Sequence, residues 1–133
     1  MTEITNNAFM KLAVDQTKNR IYYSMMGFWQ KAADVPTSAE GWEKTLKLVS
    51  PGFTILVDLT QVKTISTEWA KIFEASQKKI TDAGLIGTAE VVSENVLMKA
   101  QLTRITKESG MPKKMFANKA EAEAWLDTLS SAK

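Results

Sequence analysis

The chain contains no cysteine and no histidine among its 133 residues. These two absences remove the thiol nucleophile, the commonest general base and the commonest metal ligand. A Ser-His-Asp triad or a zinc site made of Cys and His therefore cannot be assembled. The lack of disulfides also favours a reducing compartment. From these absences we expect a cytoplasmic protein that is not an enzyme and uses no cofactor.

Long apolar runs are also missing. The longest apolar block, Phe53 to Leu59, is far shorter than the roughly 20 residues of a membrane span, and it contains Asp58. The first eight residues, MTEITNNA, lack the basic start and apolar core of a signal peptide. The six glycines are scattered and form no phosphate-binding loop. We therefore expect no membrane span and no secretory leader.

The net charge of +2, from 17 basic and 15 acidic residues, does not predict a nucleic-acid partner. Positive charge is nevertheless concentrated toward the end of the chain. Between residues 99 and 119 the bases are Lys99, Arg104, Lys107, Lys113, Lys114 and Lys119, with Glu108 as the one acid. This stretch fits a solvated helix face and loop, or a docking patch for an acidic surface or an anion.

The hydrophobic pattern predicts five strands. Phe9 to Asp15 and Arg20 to Phe28 alternate in polarity around a short polar turn, which is typical of a β-hairpin. The nearly continuous apolar block Phe53 to Leu59 predicts a central parallel strand. Leu85 to Val92 and Lys114 to Ala117 complete the set.

Helices are predicted between the later strands, starting near Thr37, Ser66, Ser93 and Asn118. The resulting order is β-β-α-β-α-β-α-β-α. We therefore expect an α/β fold with a single mixed five-stranded sheet. Without a repeat or a linker, residues 1–133 are predicted to form one domain, with its core between residues 9 and 129.

The segment Phe53 to Gly84 resembles the STAS domain, and in particular the SpoIIAA-like branch of small stand-alone proteins. The matching residues are Asp58-Leu59-Thr60, Val62, Ile65 and Gly84 and, toward the end of the chain, Ser93-Glu94-Asn95, Met115-Phe116-Ala117 and Ala124-Trp125-Leu126. The resemblance implies a SpoIIAA-like fold. It also implies a non-catalytic regulatory module that docks a protein partner.

The chain departs from the family at the start of the second predicted helix. Where STAS domains carry Asp-Ser-Ser-Gly, this chain has Ser66-Thr67-Glu68-Trp69. The second serine is the phosphate acceptor in signalling members, and Glu68 stands in its place. Ser66 and Thr67 remain as neighbouring hydroxyls, and Glu68 could mimic a charged site, with less charge than a phosphate.

A polar loop is predicted from Thr60 to Ile65, and the first site hypothesis places a protein partner or an anion at the loop Thr60 to Trp69 and the helix start that follows. The loop lies at the carboxyl end of the central strand, where α/β sheets bind ligands, and the helix start offers N–H groups to an anion. Helix capping by Ser66 and Thr67 is the structural alternative. Catalysis by the carboxylates of Asp58 and Glu68 is the last of the functional hypotheses. The structural alternative is that Asp58 ends a strand and that Glu68 complements the positive end of a helix. The predicted partner- or anion-binding residues are Asp58, Thr60, Lys63, Ser66, Thr67, Glu68 and Trp69, with Lys71 adding charge.

The second site hypothesis is a pocket for a small apolar or lipid-like ligand. Aromatic and methionine side chains cluster after the second strand and on the first helix, and such side chains line adaptable apolar sites. A packed cluster beneath a loop is the alternative. The predicted lining is Met25, Phe28, Trp29 and Trp42. A homodimer through an unpaired outer edge of the first hairpin is a further expectation.

Overall fold

A computed structural model describes residues 1–31, 38–92 and 113–131 of the chain. The strands are β1 (Thr2–Asn6), β2 (Met10–Asp15), β3 (Arg20–Trp29), β4 (Thr54–Ile65), β5 (Gly87–Val91) and β6 (Lys113–Phe116). The helices are α1 (Ser38–Leu46), α2 (Thr67–Asp82) and α3 (Lys119–Ser131). The predicted helix from Ser93, most of the basic stretch and the predicted cap at Thr37 lie outside the described residues.

The six described strands form one sheet in the order β1-β2-β3-β4-β5-β6. The pairs β1–β2 and β2–β3 are antiparallel, whereas β3–β4, β4–β5 and β5–β6 are parallel. The predicted mixed α/β class is therefore confirmed, with one strand more than expected. The extra strand, β1, comes from the polar N-terminal residues, whose sequence lacks the alternation of a half-buried strand.

β1 covers the edge of the first hairpin that the sequence analysis left unpaired. It pairs with β2 from Thr2 opposite Val14 to Asn6 opposite Lys11, with an irregularity between Glu3 and Thr5. The expectation of a free β2 edge is wrong for this reason, and β1 is now the outer strand. A homodimer stays a prediction.

β4 is longer than predicted, because it continues past Leu59 to Ile65 along β3. Residues 60–65 were expected to form a loop on account of their polar side chains. In the structure Val62 and Ile65 are buried, whereas Gln61 and Lys63 are exposed. This stretch therefore forms a strand with one buried face and one face exposed to solvent.

The two faces of the sheet are covered by different helices. On the first face, α2 packs its buried residues against side chains such as Ile55 and Val57, and α1 adds Trp42 at the margin. On the second face, α3 packs Ala122 and Leu126 against β4 and β5. The sheet therefore separates two apolar layers.

Gly84 closes the connection between α2 and β5. Its φ of +112° lies in the left-handed region that favours glycine. A Cβ atom at this position would lie 2.6 Å from the Cα atom of Pro51, and the Gly84 carbonyl accepts a hydrogen bond of 2.7 Å from Gly52 N–H. The turn after α2 is thus packed directly on the turn before β4.

A buried arginine anchors α3 to the sheet. The Arg20 side chain is only 1% exposed, and its Nε donates to Thr54 Oγ1 at 3.0 Å. Its two terminal nitrogens pair with Glu123 and, at 2.9 Å, with Asp127. Since both carboxylates lie on α3, the guanidinium fixes where the helix sits against β3 and β4.

We expect Arg20→Ala to lower the free energy of unfolding by about 3 kcal/mol, because a buried and fully paired charge is lost together with its packing. Lys18→Ala is the matched control. Lys18 is half-exposed and lies 3.9 Å from the same Glu123 carboxylate, so its loss should cost no more than about 0.5 kcal/mol. Urea unfolding of both variants measures the difference. Equal losses would mean that Arg20 does not anchor the helix.

Candidate functional site

The start of α2 is held by its capping serine. The Ser66 hydroxyl accepts a 3.2 Å hydrogen bond from Trp69 N–H and donates to the Gln30 carbonyl. The Ser66 N–H also donates to the Trp29 carbonyl at 2.8 Å. This serine therefore caps the helix and ties it to the end of β3.

Trp69 is part of the core. It is 2% exposed, and its indole N–H donates to the Lys31 carbonyl at 2.9 Å. Its ring meets the fully buried ring of Trp29 edge-on, with centroids 4.7 Å apart, and Phe73 completes the group. These two tryptophans, predicted for two different sites, pack against each other in one aromatic cluster.

The remaining predicted residues at the start of α2 face solvent. Lys63, Thr67 and Glu68 are exposed. Phe28, which pairs with Thr64 in the sheet, is 56% exposed, unlike the other large apolar residues near it. An exposed hydroxyl, two opposite charges and an apolar ring thus lie on the surface around this helix start.

Asp58 lies on the second face of the sheet, toward α3. Its Oδ1 accepts hydrogen bonds from the Thr60 N–H at 2.9 Å and the Thr60 hydroxyl at 2.6 Å. Lys119 Nζ lies 3.2 Å from its Oδ2. Burial alone would raise the pKa of Asp58, but the Thr60 bonds and Lys119 outweigh it and lower the pKa below its usual value. Asp58 and Thr60 therefore stabilise the contact with α3.

A cavity opens on the first face, between the sheet and helices α1 and α2. Its volume is about 60 Å³, counted as the space open to the centre of a water-sized sphere. Of the four residues predicted for an apolar pocket, Met25 and Trp42 line it. Among the described residues the lining is Tyr23, Met25, Trp42, Ile55, Val57, Leu59, Ile72, Phe73, Ser76, Gln77, Ile80, Thr88 and Glu90.

Three polar groups are buried in this mostly apolar lining. The Tyr23 hydroxyl, which has the Trp42 side chain beside it, and the Thr88 hydroxyl make no hydrogen bond of ordinary geometry within the described part of the chain. Glu90 Oε1 lies 3.2 Å from Lys113 Nζ, so the Glu90 carboxyl group forms a buried ion pair. Buried polar groups are nearly always hydrogen-bonded, so such a group in a cavity wall calls for a partner.

Burial perturbs the two titratable groups of the wall. It raises the pKa of Glu90 above its usual value, and Lys113 opposes this rise only in part. Burial likewise raises the pKa of Tyr23, so the phenol keeps its proton at neutral pH. The cavity wall therefore contains a phenol hydroxyl and a carboxyl group whose charged form depends on the neighbouring Lys113.

None of these three polar groups was predicted from the sequence to be part of a site. Glu90 lies inside a strand whose five residues are all buried. An acidic residue within such a strand could have indicated a polar site. Tyr23 and Thr88 gave no comparable signal, because both residue types suit ordinary strand packing. Among the described residues, no group of three or more acidic side chains could hold a metal ion, and no helix could span a membrane.

Comparison with known proteins identifies the fold. No family model and no curated protein matches the chain. An uncharacterised protein of the DUF3478 family with a SpoIIAA-like fold, from Shewanella loihica PV-4, matches with a TM-score of 0.66. The match covers 92% of this chain and 97% of that chain at 16% identity.

A second solved structure, SiaC of Pseudomonas aeruginosa, matches with a TM-score of 0.56. It covers 87% of this chain and 100% of that chain at 12% identity. At these identities the comparisons establish the architecture. The chain has a SpoIIAA-like fold, as its resemblance to that branch predicted.

We expect Asp58→Asn to lower the free energy of unfolding by about 1 kcal/mol at neutral pH, since the charge facing Lys119 is lost. The folded pKa of Asp58 lies below the ordinary value of 3.8, so its contribution is complete above that value and fades as the pH falls through the folded pKa. Urea unfolding of both proteins from pH 7 to pH 2 tests this. A difference that persists unchanged at pH 2 would contradict it.

Proposed function

We propose that this chain is a non-catalytic binding module whose ligand site is the cavity between the sheet and helices α1 and α2. One observation carries the proposal: the hydroxyls of Tyr23 and Thr88 are buried in the wall of a mostly apolar cavity and, among residues 1–31, 38–92 and 113–131, make no hydrogen bond of ordinary geometry. A ligand that is mostly apolar and carries a polar group would complete this wall.

The energetics favour an occupied cavity. A buried polar group without a partner costs about 1–3 kcal/mol, and this cost is recovered when a ligand supplies the hydrogen bond. Apolar walls with a few placed polar groups are typical of small-molecule sites. The flexible thioether of Met25 and the ring of Trp42, which meets Tyr23 edge-on at 5.1 Å, give the wall an adaptable side and a rigid side.

We expect native mass spectrometry of the protein taken from its own cells to show a retained small molecule. Ser76→Phe should abolish this retention, because Ser76 lies in the cavity wall and a benzyl group there would fill the space. Ala75→Phe adds the same group on the exposed side of α2 and is the matched control. Retention by a folded Ser76→Phe variant would exclude the cavity as the site.

Protein docking at the start of α2 is a second candidate function. It is favoured by the exposed ring of Phe28, which lies on the strand pair that leads into this helix start, beside the exposed Lys63 and Thr67. A phosphoryl group on Thr67, in the first turn, would be stabilised by the helix dipole. This function would require a protein partner and is compatible with the expected cytoplasmic location.

We expect phosphopeptide mass spectrometry to find any phosphoryl group of residues 64–71 on Thr67. Thr67→Ala should remove it and change stability by less than about 0.5 kcal/mol, since the side chain is exposed. Ser66→Ala is the control that separates capping from switching, and it should cost about 1 kcal/mol of stability. A phosphoryl group on Ser66 instead of Thr67, or on neither residue in protein taken from its own cells, would reject protein docking controlled by phosphorylation of Thr67.

A further inference from the structure

The polar groups of the cavity follow the register of the parallel strands. Tyr23 on β3 lies opposite Val57 on β4, which lies opposite Glu90 on β5. Since neighbouring strands are about 4.8 Å apart, the Cα atoms of Tyr23 and Glu90 are separated by about 10 Å. Thr88 points to the same face as Glu90, two residues earlier on β5. Donor and acceptor groups therefore flank the apolar floor formed by Val57.

The charge of this wall is balanced. Glu90 is the one ionisable carboxyl among the described lining residues, and it is 3% exposed. Its partner Lys113 is equally shielded, with a side chain 6% exposed. Carboxylate and ammonium lie 3.2 Å apart, so the pair as a whole is neutral and presents no net charge to a ligand.

Resting on the proposed function, we propose that the cavity selects a neutral amphiphile, with an apolar body and a hydroxyl or primary amide head, over a carboxylate or an ammonium of the same length. A hydroxyl or amide can donate to the carboxylate of Glu90. The same head can accept from the hydroxyl of Tyr23 or Thr88. One small uncharged group can thereby bond to Glu90 and to one of the two hydroxyls at the same time.

Charged heads are disfavoured from both sides. An anion would meet the carboxylate of Glu90 at a site where water does not screen the repulsion. A cation would find that carboxylate already neutralised by Lys113. Either ion would also lose its hydration on entering an apolar cavity. Because the existing ion pair is already balanced, neither sign of charge gains a compensating partner.

The test uses four six-carbon probes that differ only in the head: 1-hexanol, hexanamide, hexanoate and hexylammonium. Titration calorimetry of the full chain at pH 7.5 should give affinities for the alcohol and the amide at least about tenfold higher than for either ion. Binding of an ion as tightly as the alcohol would overturn the inference and leave the cavity as a binding site. Absence of binding by all four probes would reject the proposed function itself.

Glu90→Gln provides a second, independent readout. The substitution keeps the shape of the side chain but leaves Lys113 as the one charge of the pair, so hexanoate should gain at least about tenfold relative to 1-hexanol. Glu74→Gln, on the exposed side of α2, should leave the ranking unchanged. An unchanged ranking in folded Glu90→Gln would overturn the role of Glu90. If Glu90→Gln does not fold, the order of affinities of the four probes for the unmodified protein decides whether the inference holds.

Discussion

The parallel ladder between β3 and β4 is the interaction on which the other parts of the structure depend. It extends from Arg20 opposite Thr54 to Trp29 opposite Ile65. Because side chains alternate along β3, this one ladder places Arg20 beneath α3, Tyr23 in the cavity wall and Trp29 against the aromatic core of α2. A slip by one residue would exchange the two faces and dismantle all three contacts.

The two faces of this ladder treat polar side chains differently. On the α3 side, Arg20 and Asp58 each have partners within the chain, and they hold the helix in place. On the α1 and α2 side, the hydroxyls of Tyr23 and Thr88 are buried and make no hydrogen bond of ordinary geometry within the described residues. The buried polar groups that lack such bonds therefore lie on the first face of the sheet, around the cavity.

The architecture could be predicted from sequence where pattern and burial agree. The block around Leu56 is apolar because both of its faces are covered, and Ser66 marks the start of α2 by its capping chemistry. β1 and the far end of β4 could not be predicted, since their polar residues become strands through pairing with neighbours that are distant in sequence. The cavity could not be predicted, because it depends on which side chains meet across three strands. Glu90, an acidic residue within a buried strand, was the one sequence signal that pointed to it.

The packing at Gly84 has a consequence for how this protein can vary. Its left-handed φ disfavours nearly every side chain, and the contact with Pro51 leaves no room for a single methyl group. In a library of all single substitutions, position 84 would tolerate almost nothing, although it touches neither the cavity nor the start of α2. Position 84 is therefore constrained by the packing of the backbone and not by either candidate site.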